Sequence, residues 1–349
     1  MDDLRFEDCR ALCRLPYFEP EPGTGLPRLA DGVADDIVDA HLHLGWSYGL
    51  APAVDLAARH ERAETFFPET GVAVDLSHYS AWDYTDEVAA QARRHSARSI
   101  WSGKGPIATF TVPNLLREMD RLGVRDAIVL AIEYPFASRC TERFLDATAD
   151  CDRLHVFCSV HPFGVGNGRR VARAVERGAV GMKLHPATQF VRAEHPRMIA
   201  AARLAQRHGL PILYHVGQSP IAPRWTDRFC SVAQYEAAIE ATPEVPVLLG
   251  HSGIDEWEQA LALCKRHDHV YLELSGQPPQ RIRRMLDEVG PDRLVFGSDW
   301  PFYPISLPLA KVLIATEGDD EARRKVLAGT IRRLVRSLAP APLGASASC

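Results

Sequence analysis

Eight short apolar runs rich in strand-forming residues recur from residue 36 onward, most of them followed by a stretch with helical patterning. They are Ile37–His41, Ala127–Ile132, Leu154–Val160, Val180–Leu184, Ile212–His215, Val247–Leu249, Val270–Leu274 and Leu294–Gly297. Alternation of this kind marks βα units closing around a parallel sheet. Eight is the number that a closed barrel needs. The expected fold class is therefore α/β, a (β/α)₈ TIM barrel with a long helical insertion after strand one.

The spacing sets the organisation. From the third run to the eighth, the starts lie 23 to 35 residues apart, room for one strand, one helix and two loops each. Between the first and second runs about ninety residues intervene. Within them Trp46–Pro113 is rich in Trp, Tyr, Pro and Gly and has a helical patch at Asp86–Ser96. This stretch, about 46–113, reads as an insertion or lid. It leaves the C-terminal end of strand one, so it must lie over the catalytic face of a barrel. The expected division is an arm over 1–35, a barrel over 36–338 and a mobile tail over 339–349. The arm, with a short helix and the Pro- and Gly-rich Pro16–Pro27, should wrap the outside or meet a neighbouring subunit. Asp319–Leu338 reads as one amphipathic helix.

Composition narrows the class. The chain has 349 residues, 46% hydrophobic and 24% charged, with a formal net charge of −5. That acidic balance lacks the basic stripe that phosphate contacts require, so no nucleic-acid partner is expected. Arg281–Arg284 and Arg332–Arg336 alternate with apolar residues, as on the wet faces of amphipathic helices. No apolar run is long enough to cross a bilayer, so no membrane partner is expected either. Eight cysteines without CxxC pairs, and no leader-like segment near Met1, lead to the expectation of a reduced, cytoplasmic protein. A small-molecule substrate remains as partner, with a homodimer as the prior for barrels. Neither a GxSxG elbow nor a glycine-rich phosphate loop is present, which removes support for serine hydrolase, NTPase and dinucleotide-binding readings.

Residues that bind metals or carry protons sit at the ends of five of these runs. The first ends in Ile37-Val-Asp-Ala-His41-Leu42-His43, and histidines at i and i+2 on a strand project to one side. The fourth reads Gly181-Met-Lys183-Leu-His185-Pro186; the fifth ends at His215, the sixth is followed by Gly250-His251, and the eighth by Ser298-Asp299-Trp300-Pro301. Any one of these histidines is more often a core or surface residue than a ligand. Chance does not readily place several of them just beyond separate strands, where barrel active sites form. Imidazoles with a carboxylate suit Zn²⁺ first, one ion or two, with Mn²⁺, Fe²⁺, Co²⁺ or Ni²⁺ as substitutes.

In these segments, together with Leu249-Gly-His-Ser-Gly253 and Leu272-Glu-Leu-Ser-Gly276, the chain resembles the amidohydrolase superfamily over nearly its whole length. The resemblance is to the amidohydrolase-related branch of small-molecule hydrolases and non-oxidative decarboxylases. It implies His41, His43, His215 and Asp299 as metal ligands, and His251 as the group that orients or deprotonates water or binds a second metal. Lys183 lies in a segment like that of relatives whose lysine is carboxylated and bridges two metals. A bridging carbamate and a substrate-binding ammonium both stay open for it. The long insertion and Thr330, where a late Asn is common, depart from the branch.

On this reading Asp299 and His251 are the catalytic pair. The metal activates water to cleave an amide, lactone or ester of a cyclic or aromatic substrate, and Asp299 carries the proton to the leaving group. The alternative is decarboxylation of an aromatic or unsaturated acid at the same site; a third reading is a catalytically silent binding barrel. Substrate-binding candidates are Lys183, His185, Trp46 and Tyr48. Trp82, Tyr84 and Trp101 are further wall candidates, and Arg62, Arg139 and Arg224 are candidates for a substrate carboxylate. His161 and His185, each before proline, also read as supporting groups behind the ligands.

Overall fold

The computed structural model describes residues 4–46, 54–135, 138–218, 223–335 and 338, with the side chains of 96–101 left aside. Tyr48 and the tail 339–349 lie outside the described residues, as does the Trp101 side chain.

The eight apolar runs form eight parallel strands: β1 Ile37–Leu42, β2 Val124–Leu130, β3 Leu154–Cys158, β4 Gly181–Leu184, β5 Ile212–His215, β6 Val247–Gly250, β7 Val270–Glu273 and β8 Leu294–Val295. Each pairs with the next in chain order. Three backbone hydrogen bonds close the ring between β1 and the segment around β8. Ala40 N donates to Phe296 O at 3.1 Å, Asp299 N to His41 O at 2.7 Å and His43 N to Trp300 O at 2.7 Å. The result is a TIM barrel.

Alternation along the strands fills the interior in layers. Val38, Ile128, Leu130, Phe157, Leu213, Leu248, Tyr271 and Val295 form one buried cluster, separate from the larger apolar shell outside the strands. Two residues above Leu213 and Tyr271, on the same side of their strands, come His215 and Glu273. The apolar layer therefore gives way to a polar one toward the C-terminal mouth.

The opposite mouth is stoppered. Ile331, Val335 and Leu338 pack onto the interior cluster, and the Arg332 guanidinium grips Asp36 at 2.6–2.7 Å and also binds Asp126. The expected single helix there is α-helical over Asp320–Arg324 and Thr330–Leu334, with a wide π turn at Lys325–Gly329 between them. Within that turn the Val326 carbonyl accepts from Phe296 N beside β8, which ties the stopper to the barrel.

The chain between β1 and β2 covers the C-terminal mouth on the β7–β8 side. Phe66 N donates to Pro301 O at 2.9 Å, Phe67 N to Phe302 O at 3.1 Å, and the Tyr84 hydroxyl to Phe302 O at 2.6 Å. Its helix runs Asp86–Ser102, longer than the patch read from sequence. The arm wraps this same chain: Arg5–Phe6 pairs with Val74–Asp75, and Cys9 N donates to Glu69 O. Cys9, Cys13, Cys140, Cys158, Cys230 and Cys264 are free thiols. Among the described residues no helix is long and apolar enough to cross a membrane.

Candidate metal centre

Five imidazoles and two carboxylates meet inside the C-terminal mouth. His41 lies near the end of β1 and His43 just beyond it, His215 ends β5, His251 follows β6 and Asp299 follows β8. The Asp299 carboxylate lies 3.5 Å from His41 Nε2 and 3.6 Å from His43 Nε2. His41, His251 and Asp299 present ligand atoms all within 4.8 Å of one another. His251 Nε2 is 3.0 Å from His215 Nδ1. His185 lies flat on His215, with ring centroids 4.0 Å apart and 9° between the planes.

Partners at the other ring nitrogens set the tautomers. His41 Nδ1–H donates to Glu273 Oε2 at 2.7 Å, and His43 Nδ1–H donates to the Leu130 carbonyl at 2.9 Å. Ser275 Oγ donates to Glu273 Oε2 at 2.9 Å and so accepts from His251 Nδ1–H at 2.7 Å. The lone pairs of His41, His43 and His251 are thereby left on Nε2. His215 Nδ1–H then donates to His251 Nε2, and the buried His215 Nε2 has no partner.

This set fits a divalent cation. Separations of 3.5–3.6 Å are long for hydrogen bonds. They are near the roughly 3.3 Å between neighbouring ligand atoms of a tetrahedral ion with bonds of about 2.0–2.1 Å. Burial, reinforced by the nearby Lys183 and the other imidazoles, holds His41 well below the usual histidine range; burial also holds His185 and His251 well below it and pushes His215 down to about 3. Neutral imidazoles are the form that metals take.

Glu273 is the orienting group that the sequence reading quoted without assigning a role. Burial pushes its carboxyl up to about 8, yet it accepts from His251 N, Ser275 N and Ser275 Oγ besides His41. Those donors favour the carboxylate. Gly297 makes the space, because a Cβ there would collide with Glu273 Oε1 and come within 2.6 Å of His41 Cβ. Asp39 does the equivalent for the backbone: its Oδ1 accepts from His41 N at 3.1 Å and Ser298 N at 2.9 Å, holding both ligand-bearing segments. A charged residue inside an apolar strand run is the signal that points to both carboxylates.

Lys183 is wholly buried, with Nζ 3.4 Å from His41 Nε2, and burial pushes its amine down to about 7. It therefore sits at the ligand-facing nitrogen of His41, which also faces Asp299. In front of the imidazoles opens a cavity of about 370 Å³, with Trp46, His185, Tyr134, Trp225 and Phe302 among its walls. No arginine or lysine is among the described residues lining it. Residues 47–53, 136–137 and 219–222, which lie outside the described set, carry no charged side chain in the sequence. Trp82 is half exposed and Tyr84 faces Phe67 and the Phe302 carbonyl, so neither is a wall. Arg62 and Arg139 line other clefts. His161 binds the Gln189 carbonyl away from the centre.

A family model described as amidohydrolase matches residues 38–337. The chain belongs to the amidohydrolase family. The family is one of metal-dependent enzymes, and its match runs from β1 to the bottom stopper. No curated protein matches this amidohydrolase. Among solved structures it is similar to an uncharacterized TIM-barrel protein from Bordetella bronchiseptica, at TM-score 0.61 and 13% identity, over 87% of this chain and 100% of that one. It is also similar to 5-carboxyvanillate decarboxylase from Sphingomonas paucimobilis, at TM-score 0.58 and 12% identity, over 87% and 99%. A probable 2-pyrone-4,6-dicarboxylic acid hydrolase from Acinetobacter baumannii follows at TM-score 0.51 and 14% identity, over 85% and 98%. At these identities the likeness is one of fold.

Proposed function

We propose that this amidohydrolase is a metal-dependent hydrolase of a small aromatic or cyclic ester, lactone or amide. The buried, unpartnered His215 Nε2, beside imidazoles whose lone pairs converge on Asp299, is the observation that carries the reading. His41, His43, His215 and Asp299 would hold the ion, with His251 beside them. A bound divalent ion lowers the pKa of water from about 15.7 toward about 7, which supplies a nucleophile at neutral pH. Zinc suits this donor set best.

Asp299, whose carboxylate faces His41 Nε2 and His43 Nε2, would accept a proton from that water and pass it to the leaving group. His251, fixed by Ser275, would hold the His215 ring through its Nε2 and so keep His215 Nε2 turned to the ion. Lys183, beside His41 Nε2, would belong to the metal side of the site, as a carbamate or as an amine that keeps a second ion out. Aromatic walls exclude bulk water and hold the ring.

One observation favours a second reading, decarboxylation. The described cavity wall has no guanidinium or ammonium, so a substrate with a single carboxylate would place that group at the ion. Dicarboxylates would bury an unpaired charge.

Elemental analysis of natively purified protein, then turnover of aromatic esters, lactones and benzoates in ¹⁸O-water, tests both readings. Hydrolysis incorporates one ¹⁸O into the product; decarboxylation releases CO₂ without it. Full activity in metal-free protein overturns both.

A further inference from the structure

Tyr79 and Tyr303 come from segments 224 residues apart, Tyr79 from the chain between β1 and β2 and Tyr303 from the loop after Asp299. Both line the cavity and both are nearly buried, at 2% and 3% exposure. The two phenols lie near each other, and the Asp299 charge reaches both. Tyr84 is different, since its hydroxyl is already taken up by the Phe302 carbonyl.

The placement of Tyr79 rests on three independent features. Lys311, fully buried in the helix Ser306–Ala315, donates to the His78 carbonyl at 2.7 Å and to Ser80 Oγ at 2.7 Å, the residues on either side of Tyr79. The same ammonium reaches the Gly276 carbonyl at 3.1 Å, and Ser80 N donates to that carbonyl at 2.9 Å. Gly276 itself, at φ +79°, leaves room for the ring. A Cβ there would come within 2.6 Å of Tyr79 Cε2, 2.8 Å of Cζ and 3.1 Å of the hydroxyl. Gly276 closes the loop whose Glu273 and Ser275 orient His41 and His251, so one short loop positions the imidazoles and the phenol together. Three acceptors compensate the burial of the Lys311 amine and make it an anchor for this loop.

We infer that the Tyr79 and Tyr303 hydroxyls form the hydrogen-bonding end of the substrate site, holding an oxygen substituent beside the group that lies at the metal centre. They select a ring bearing an adjacent hydroxyl or ring oxygen over the same ring without it. A phenol pair suits this task, because each hydroxyl donates or accepts and neither adds charge to an apolar cavity. Lys311 and Gly276 are positioning residues for Tyr79. The inference rests on the reading that this cavity is the substrate site, and applies whether the reaction is hydrolysis or decarboxylation.

Calorimetric titration of the zinc-loaded protein with benzoate and with 2-hydroxybenzoate tests it. The wild type should bind 2-hydroxybenzoate more tightly. Tyr79→Phe and Tyr303→Phe, which remove only an oxygen, should each weaken 2-hydroxybenzoate by about tenfold and leave benzoate within about twofold. Zinc content should stay unchanged in both variants. Equal losses for the two acids, or no loss in either variant, overturn the inference but leave the cavity as an aromatic-acid site. Failure of the wild type to bind either acid overturns that reading of the cavity and the inference with it.

Discussion

The two mouths of the barrel hold their carboxylates in opposite ways. At the N-terminal mouth burial raises the Asp126 carboxyl, but the neighbouring His155 imidazole and the hydrogen-bonded Arg332 guanidinium outweigh that and bring it below the usual aspartate range. At the C-terminal mouth burial wins, and Asp39 is pushed up to about 7 and Glu273 to about 8. One end is an apolar stopper locked by a doubly paired arginine. The other keeps ionisable groups close together without full compensation, the usual mark of a functional site. The barrel architecture favours stability at the first mouth and chemistry at the second.

The largest expected effect lies at the upper mouth. Asp299→Asn should lower kcat/KM by about 10³-fold, the scale of a lost proton-transfer group, with little change in melting temperature. Steady-state kinetics on any substrate found by the screen checks this, and unchanged turnover would remove Asp299 from the proton path. Glu273→Gln should follow, weakening zinc by about 10- to 100-fold in a chelator competition, because His41 and Ser275 lose their acceptor. Equal zinc affinity would mean that Glu273 serves packing alone.

At the lower mouth the expectations reverse. Arg332→Met should lower the unfolding free energy by about 2 kcal/mol in urea, less than for a fully buried network because Asp36 is one-third exposed. Metal affinity should stay within about twofold; a large change would show that the ends are coupled. The smallest effect concerns pH. Asp126 titrates below its unfolded value, so its contribution is complete above the ordinary aspartate pKa and disappears as pH falls through the lower folded value. Urea midpoints at pH 5 and pH 3.5 should therefore converge between wild type and Arg332→Met; a gap that widens on acidification would contradict the assignment.

How much of this was legible in the sequence follows the same division. Strand β5 was read to the residue, and the others within a few, because burial on both sides leaves an apolar run that local inspection can find. β2 starts at Val124, three residues before the run, because Arg125 and Asp126 interrupt it and Asp126 is satisfied only by the distant Arg332. β8 stops at Val295, two residues short, since the Ser298 amide turns to Asp39. The histidines were legible by type and position. The roles of Glu273 and Ser275 were not, because each is defined by a partner elsewhere in the fold, 232 residues away for Glu273 and His41. Tyr79 lies in the long segment without periodicity, where the choice of Trp82 and Tyr84 rested on residue type alone.

The junction between β1 and β8 has a thermodynamic consequence. The residues that zip the ring shut, at 40–43 and 296–300, are also those that offer His41, His43 and Asp299 to a cation. An ion bound there staples the first and last staves of the cask, so its binding energy adds directly to the free energy of closure. Removal of such an ion should then loosen the molecule first along that join, with the fastest gain in exchange expected at amide hydrogens around Leu42 and Trp300.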